Sequence, residues 1–156
     1  MTYKWGARSL RNLDHPKLHP ALRKLADCVL QESRHDLTVL DGGAVRSVSQ
    51  AAANAANGTG VLNSRHLTGH ALDLVTLTNG RVDWKNLAAF RETAELVAVV
   101  AARHNLAIVQ GCDWDCDGVL GETGEWDWPH LQLPWAYQVE KSRRLLLIRR
   151  QELGLS

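Results

Sequence analysis

The chain has 156 residues and a formal net charge of +1 at pH 7, which gives no general attraction to nucleic acid. No run approaches the roughly 18 apolar residues of a membrane span, and the N-terminal sequence M-T-Y-K-W-G-A-R-S-L lacks the apolar core of a signal peptide. Three cysteines are too few, and odd in number, for a disulfide framework. We therefore expect a single monomeric domain over residues 1–156, made in the cytoplasm and not inserted in a membrane.

The first third of the chain contains helical and extended patterns. Residues 7–13 predict a short helix that Ser9 could cap, and apolar residues at three- and four-residue steps predict a second helix over 19–33. A short apolar run at 37–40 ends at two glycines and is typical of a strand. An Ala- and Asn-rich helix then ends near Asn57. The histidines of this region are expected at the surface rather than at a metal: His15, His19 and His35.

The segment S-R-H-L-T-G-H-A-L-D, residues 64–73, places two potential metal ligands, His66 and Asp73, seven residues apart. Gly69 lies between them and can take backbone angles that other residues avoid, so the chain can turn after His66. The apolar run 71–77 then suits a strand buried on both faces. An aspartate in such a run needs a partner, because an unpaired buried carboxylate is costly. A metal ion would serve, and so would a buried Arg or a protonated His.

The middle of the chain is expected to be structural. Asn79-Gly80 marks a turn, and Asp83 can cap the helix predicted over 84–104, whose apolar residues recur on one face. The apolar run 106–109 predicts a strand. We assign no chemistry to these elements.

A long loop follows at residues 111–126, and residues 111–130 hold six acids and no Lys or Arg. Loops of this length in a compact domain favour a functional role. Three alternate aspartates and a glycine have the spacing of the first calcium ligands and the turn glycine of an EF-hand loop. The glutamate expected at position twelve is absent, so a solvated acidic loop is the competing interpretation. The candidate Ca²⁺ ligands are Asp113, Asp115, Asp117 and Glu122, with Gly118 at the turn.

The segment E-W-D-W-P-H-L-Q-L, residues 125–133, supplies a third potential ligand, His130. Two histidines and one carboxylate leave a fourth tetrahedral position for water, as catalytic zinc sites do. Zinc lowers the pKa of such a water, and a nearby carboxylate can accept its proton. Asp127, three residues before His130, is the first candidate for this base, and Glu125 is the second. Taken alone, His130 would be an ordinary histidine after a proline.

Residues 135–152 predict a last helix, with Pro134 suited to its first turn. Apolar residues could dock on the core, while five Lys or Arg residues would face outward. A basic amphipathic helix can bind an anionic membrane or wall polymer, but a solvated face is the more common reason for such a pattern.

Both ligand motifs resemble those of one enzyme family. S-R-H-L-T-G-H-A-L-D is similar to the S-x-H-x-x-G-x-A-x-D motif of zinc peptidases related to the D-Ala-D-Ala carboxypeptidases. D-W-P-H-L-Q-L resembles the ending found in their phage endolysin branch, the L-alanyl-D-glutamate endopeptidases. The resemblance covers residues 9–133 and implies a single α+β domain of the hedgehog and D-Ala-D-Ala carboxypeptidase type, with a small antiparallel sheet and flanking helices. It also implies Zn²⁺ at His66, Asp73 and His130, with Asp127 as the base.

Two further positions match the family. An arginine and a glutamine four residues apart occur in this region of the family, and Arg46 and Gln50 have that spacing. A planar guanidinium suits a carboxylate or a developing oxyanion, so Arg46 is a candidate for transition-state stabilisation, with a surface salt bridge as the alternative. Gln50 and Ser64 are candidates for substrate contact. Ser64 is not expected to be a nucleophile, because the metal supplies one.

The resemblance implies a phage endolysin, a zinc endopeptidase that hydrolyses the L-alanyl-D-glutamate bond of peptidoglycan stem peptides and lyses the host. Its partner would be bacterial peptidoglycan, and a holin would release it from the host cytoplasm to the cell wall. A D-Ala-D-Ala or L,D-carboxypeptidase with the same site is one alternative. A metal-stabilised, hedgehog-like binding module is another. A lost base would favour the binding module, whereas here Asp127 supplies a carboxylate.

Overall fold

Five α-helices are present in the part of the chain that the structure describes, residues 2–61 and 63–156 of a computed structural model. Each helix that the sequence predicts is found: the first has the predicted bounds, and the others have ends shifted by one or more residues. The spans are α1 Ala7–Leu13, α2 Pro20–Glu32, α3 Val48–Ala56, α4 Leu87–Arg103 and α5 Val139–Glu152.

Two antiparallel sheets of three short strands each accompany the helices in the described residues. The order is β1-β3-β4 in the first sheet and β2-β6-β5 in the second. The predicted α+β class with flanking helices is confirmed, although the strands are divided between two sheets instead of forming one. The strands are β1 Asp36–Thr38, β2 Ala71–Asp73, β3 Val75–Thr78, β4 Arg81–Val82, β5 Val109–Gln110 and β6 His130–Gln132.

The sequence predicts one strand over 71–77, but the structure divides this run between the two sheets at Leu74. Asp73 donates its backbone N–H to Gly43 O at 2.7 Å, and Leu74 donates to Pro129 O at 2.9 Å. Because these bonds go to loops, the ladder stops here and the chain passes from one sheet into the other. The apolar pattern could not reveal the break, since apolar residues on both sides of Leu74, namely Leu72 and Val75, are buried.

The main core lies between α2, α4 and the two sheets. The predicted apolar face of α2 is confirmed, because Leu22, Leu25 and Val29 are each at most 2% exposed. Full burial of such side chains stabilises the fold by about 1.5–3 kcal/mol each. This core includes residues of β2 and β6, and its other buried members include Leu37, Leu72, Val97, Val100 and Leu131.

Two predicted helix caps are wrong. Helix α1 begins after Gly6, while Ser9 lies buried within the helix and its hydroxyl pairs with Thr38 Oγ1 at 3.1 Å. Helix α4 is capped by Asn86, whose Oδ1 accepts a backbone N–H of the first turn at 3.2 Å, and not by Asp83. In both cases another residue sits nearer the first turn that is actually formed.

The C-terminal region differs slightly from its prediction. The strand predicted over 106–109 is limited to Val109–Gln110, and the last helix is preceded by a separate 3₁₀ turn, Ala136–Gln138. Among the described residues, no helix combines the length and the apolar character needed to cross a bilayer.

Candidate active site

Three side chains that could bind one metal ion converge in a cleft. His66 comes from a 3₁₀ turn, Arg65–Thr68, Asp73 from the end of β2 and His130 from the start of β6. Asp73 Oδ1 lies 3.3 Å from His66 Nε2 and 3.1 Å from His130 Nδ1. One potential ligand atom from each residue lies within 4.8 Å of the others, which is close enough for a shared ion.

Two backbone features bring these side chains together. Gly69 ends the 3₁₀ turn with φ +73°, and a Cβ at this position would overlap Lys17 O. The turn predicted at Gly69 is therefore confirmed, and only glycine fits it without strain. The antiparallel register of β2 and β6 then sets Asp73 directly opposite His130.

The cluster is largely buried, and its charges depend on one another. His66 and His130 are 2% and 7% exposed. Burial alone would raise the pKa of Asp73, but the adjacent His66 and His130 hold that pKa well below its usual range. Burial opposes protonation of His130, yet its hydrogen bond to Asp73 produces a net rise in the pKa of the imidazole. The Asp73 carboxylate is therefore ionised at neutral pH and can ligate a cation.

The donor set fits a divalent transition metal. Two imidazole nitrogens and a carboxylate oxygen form the open, three-ligand set found in catalytic metal sites. His66 Nδ1 lies 2.9 Å from Ala44 O, and because a carbonyl oxygen only accepts, Nδ1 carries the ring proton. The lone pair is then on Nε2, the nitrogen that faces Asp73, as metal binding requires.

Asp127 lines the same cleft as the three potential ligands. Burial, together with the negative charge of Asp73, raises the pKa of the Asp127 carboxyl group. This shift moves the group towards the range in which a general base works near neutral pH. Gly111 makes room for it, because a Cβ there would overlap Asp127 O and lie 3.1 Å from His130 Cβ.

Arg46 contacts the cluster and not the protein surface. Its Nη2 lies 3.7 Å from Asp73 Oδ2, and its Nε donates to Gly42 O at 3.2 Å. The side chain is only 13% exposed, so a surface salt bridge does not describe it. Arg46 lines both the metal cleft and a smaller neighbouring groove, where it can meet a bound peptide.

Gln50 and Ser64 both use their side chains to cap helical turns. Gln50 Oε1 accepts the Ser47 N–H at 2.8 Å in a capping box of α3, and the residue lines the neighbouring groove outside the metal cleft. Ser64 Oγ accepts the His66 N–H at 3.2 Å and lies within the cleft. These caps use only the side-chain oxygens of the two residues, Gln50 Oε1 and Ser64 Oγ, as acceptors.

The acidic loop gathers its carboxylates into two overlapping groups near α5. In each group, potential ligand atoms lie within 4.8 Å of one another. Glu125, the second candidate base, belongs here and not to the metal cleft, and its buried Oε2 has no hydrogen-bond partner among the described residues. The groups are Asp113, Asp115 and Asp117, and Asp115, Glu122 and Glu125.

Asp113 is the most buried carboxylate of this loop, at 2% exposure. Burial raises its pKa to about 6, although its carboxylate accepts the Asp117 and Gly118 N–H groups at 3.1 Å each. Arg149 Nη2 from α5 lies 3.7 Å from Asp113 Oδ2. Asp113 therefore already has one cationic neighbour in the fold.

A comparison with known proteins places this site in a family. The model of the phage L-alanyl-D-glutamate peptidase family matches residues 1–134. The chain belongs to that family. It is 33% identical over 140 residues to the L-alanyl-D-glutamate peptidase of Escherichia phage T5, covering 85% of this chain and 99% of that protein. It also resembles the crystal structure of the Serratia marcescens L-Ala D-Glu endopeptidase ChiX, with a TM-score of 0.66, 28% identity and coverage of 84% of this chain and 90% of the other.

In this peptidase, residues beyond the family match help to form the cleft. The cleft has a volume of about 730 Å³, and Trp135, Tyr137 and Gln138 line it together with the potential metal ligands. The Trp135 ring lies under the Arg65 guanidinium at 4.2 Å. The segment that follows residue 134 is therefore part of the site and not an appended tail.

Sequence patterns did not indicate several residues of this peptidase that contact the site. Trp114 places its ring centroid 5.3 Å from that of His130, and Gly111 provides the space for Asp127. Arg149 contacts Asp113, which lies 36 residues earlier in the sequence. Nothing in periodicity or spacing marks these residues, because their roles depend on contacts between distant segments.

Proposed function

We propose that this chain is a zinc-dependent endopeptidase that hydrolyses the L-alanyl-D-glutamate bond in the peptide stems of bacterial peptidoglycan. The observation that carries the proposal is the convergence of two imidazoles and a carboxylate in one open cleft with a second carboxylate, Asp127. The choice of bond is supported by the relatives, which are named for this peptidase activity. The choice of zinc is supported by the donor set, which is that of catalytic zinc sites with an open position.

The side chains of the cleft divide the chemistry among them. When bound at His66, Asp73 and His130, zinc supplies a Lewis acid and lowers the pKa of water. Asp127, with its raised pKa, accepts a proton from the attacking water and returns it to the leaving amine. Arg46, held by Gly42 O, stabilises negative charge that develops on the scissile carbonyl oxygen.

Gln50 and Ser64 contact the substrate in this proposal through the polar hydrogens that their capping bonds leave free. Gln50 lines the groove next to Arg46, so its amide can bind a peptide carbonyl on that side of the cleft. Gln50→Ala should raise KM with little change in kcat, since it removes binding common to substrate and transition state. An unchanged KM would remove Gln50 from the substrate site.

The direct test is mass spectrometry of purified peptidoglycan digested with the zinc-loaded protein. The proposal expects fragments with a new N-terminal D-glutamate. Loss of terminal D-alanine would instead identify a carboxypeptidase. Intact peptidoglycan that nevertheless pulls down the protein would identify a binding module. Asp127→Asn serves as the control that keeps the ligands but removes the base.

We also propose that the acidic loop binds a regulatory Ca²⁺ ion through Asp113, Asp115, Asp117 and Glu122. Two observations support it: the close grouping of the carboxylates, and the buried, unpartnered Glu125 Oε2 at their edge. Calcium prefers six to eight oxygen ligands, which clustered carboxylates can supply. Because the loop continues directly into Asp127, ordering it would help to fix the base.

For the biological role, we propose an endolysin that stays in the host cytoplasm until a holin releases it to the cell wall. Family membership supports this role, because the matching family is one of phage peptidases. We further propose a monomer whose residues 1–156 unfold as one unit. Sedimentation and calorimetry should give the monomer mass and a single transition. Expression in a bacterial host should cause lysis only when a holin is expressed with it.

A further inference from the structure

Two buried glutamines connect His130 with the segment beyond the family match. Gln132 follows His130 by two residues on β6, so both side chains lie on one face of the strand. Gln132 Oε1 lies 2.9 Å from His130 Nε2, and Gln132 Nε2 donates to Gln138 Oε1 at 3.2 Å. The two glutamines are 4% and 7% exposed, so water has little access to replace these bonds.

A backbone group fixes the direction of these hydrogen bonds. The Trp135 N–H can only donate, and it lies 3.0 Å from Gln138 Oε1, so the Gln138 amide presents its oxygen. Gln132 must then donate with its NH₂ group, which leaves its oxygen for His130. Because that oxygen only accepts, His130 Nε2 carries the ring proton. The lone pair of the neutral ring is left on Nδ1, 3.1 Å from Asp73 Oδ1.

We propose that Gln138, acting through Gln132, is a positioning residue that selects the His130 tautomer whose Nδ1 can bind the metal. The inference rests on the proposed function in one respect, the assignment of His130 as a metal ligand. If the side-chain amide of Gln138 were flipped, the Gln132 amide would have to flip as well and would present its NH₂ group to His130. The proton would then move to Nδ1, and that nitrogen could no longer ligate.

The turn that carries Gln138 is itself tied to the rest of the metal cluster. Arg65 directly precedes His66, and its guanidinium donates to Leu133 O at 3.1 Å and to Pro134 O at 2.9 Å. The same guanidinium covers the Trp135 ring. Residues 133–138 are thus held between the turn of His66 and the strand of His130. This fixes the position of the Trp135 N–H, which sets the direction of the hydrogen bonds from Gln138 to His130.

The test compares two substitutions of Gln138 by their effect on zinc affinity, measured by competition with a chromophoric chelator. Gln138→Leu removes the acceptor, whereas Gln138→Glu keeps oxygen atoms that only accept. We expect Gln138→Leu to weaken zinc binding by about tenfold, the low end of what loss of a direct partner of a metal ligand costs, because Gln138 acts on His130 only through Gln132. Gln138→Glu should bind zinc close to the wild-type affinity, and affinities equal to each other would overturn the inference.

Gln110 provides a matched control. It is a buried glutamine of the same sheet whose amide donates to Ala94 O at 3.0 Å, away from His130. Gln110→Leu should retain wild-type zinc affinity. A loss as large as that of Gln138→Leu would mean that any buried glutamine produces the effect, and the inference would fail.

A second measurement needs no variant. In the zinc-loaded protein, nitrogen-15 NMR should find the metal on His130 Nδ1 and the proton on Nε2, whereas a metal on Nε2 would contradict the inference. His130→Ala separates this failure from that of the proposed site. If His130→Ala loses zinc while Gln138→Leu does not, only the positioning role is wrong. If His130→Ala keeps its zinc, the proposed ligand set is wrong as well.

Discussion

Asp73 in the metal cleft is partly buried and Asp113 in the acidic loop is buried, yet the pKa values of their carboxyl groups shift in opposite directions. Burial raises the pKa in both places. At Asp73, His66 and His130 outweigh burial and lower the pKa. At Asp113, two backbone N–H groups and Arg149 favour the ionised form, but they do not outweigh burial, and the pKa rises to about 6.

The difference teaches how each region depends on added cations. Around Asp73, two imidazoles already lie beside an ionised carboxylate, so the cleft holds donors that could bind a metal without rearrangement. Around Asp113, carboxylates outnumber the single nearby guanidinium, and repulsion among them leaves the loop in need of positive charge. Substitutions in the cleft should therefore cause loss of the metal, whereas substitutions in the acidic loop should cause smaller changes in calcium affinity.

The largest effect is expected from removing a ligand in the cleft. His130→Ala should leave much less than one zinc per chain by elemental analysis, and peptidase activity should disappear with the metal. His104, an exposed histidine at the end of α4, provides the control, and His104→Ala should keep both. Full zinc retention by His130→Ala would exclude His130 from the site.

Removal of the base should separate metal binding from activity. Asp127→Asn should keep its zinc and lose about 10²–10⁴-fold in kcat, because general base catalysis is typically worth that much. Glu125→Gln, in the acidic loop, should remain active. An inactive Glu125→Gln variant beside an active Asp127→Asn variant would show that the wrong carboxylate had been chosen.

The two regions also differ in how far the sequence predicts them. His66, Asp73 and His130 belong to local motifs whose spacing indicates ligands, and the fold class follows from the same family resemblance. The break at Leu74 is not predictable from the apolar pattern, because buried apolar residues of both strands flank it. Contacts such as those of Gln138 and Arg149 join segments far apart in sequence, and only the tertiary structure reveals them.

The opposite pKa shifts predict opposite effects of pH on the stability of the metal-free protein. In the folded state the pKa of Asp113 is about 6, against a reference value of 3.8, so the folded state keeps its proton up to a higher pH than the unfolded state. Its ionisation therefore destabilises the fold as pH rises from 3.8 towards 6, by at most about 3 kcal/mol. Urea unfolding of Asp113→Asn across this range should lack that decline.

Asp73 provides the opposite case in the same experiment. Its lowered pKa contributes stability above the unfolded pKa, and this contribution is lost as pH falls below it. Asp73→Asn should therefore flatten the acid side of the stability profile, while Asp113→Asn changes the profile above pH 3.8. Identical profiles for the two variants would mean that the environments of these aspartates do not differ as described.

A smaller effect on stability and on kcat is expected from a substitution at Gly111, where the acidic loop begins. Gly111→Ala would push against Asp127 and His130, since the new Cβ would lie 2.7 Å from Asp127 Cβ. Overpacking of this kind typically costs about 1–3 kcal/mol, and here it should also lower kcat by moving the base. Gly6→Ala is the control, because no described residue lies within 4 Å of a Cβ at that position. Unchanged kcat in Gly111→Ala would show that the base tolerates the shift.

The smallest effect concerns calcium, which should raise activity by ordering the acidic loop. With zinc left in place, a calcium-selective chelator should lower activity, and added Ca²⁺ should restore it. Asp113→Ala with Asp117→Ala should abolish this response without removing zinc. Activity that is indifferent to calcium in the micromolar to millimolar range would leave the loop as a solvated acidic rim.

Arg149 sharpens the calcium experiment, because it already places a positive charge beside Asp113. Calcium bound there must share that carboxylate with the guanidinium. Two unit positive charges about 4 Å apart repel by about 1–4 kcal/mol, from water to a protein surface, and a divalent ion is repelled more strongly. Arg149→Met should therefore tighten calcium binding by about tenfold or more, a change of about 1.4 kcal/mol per factor of ten. Arg144→Met on the same helix, where the side chain is 70% exposed, should leave calcium affinity unchanged. If both variants bind calcium as the wild type does, Asp113 is not a ligand, and Arg149 is its permanent counter-ion.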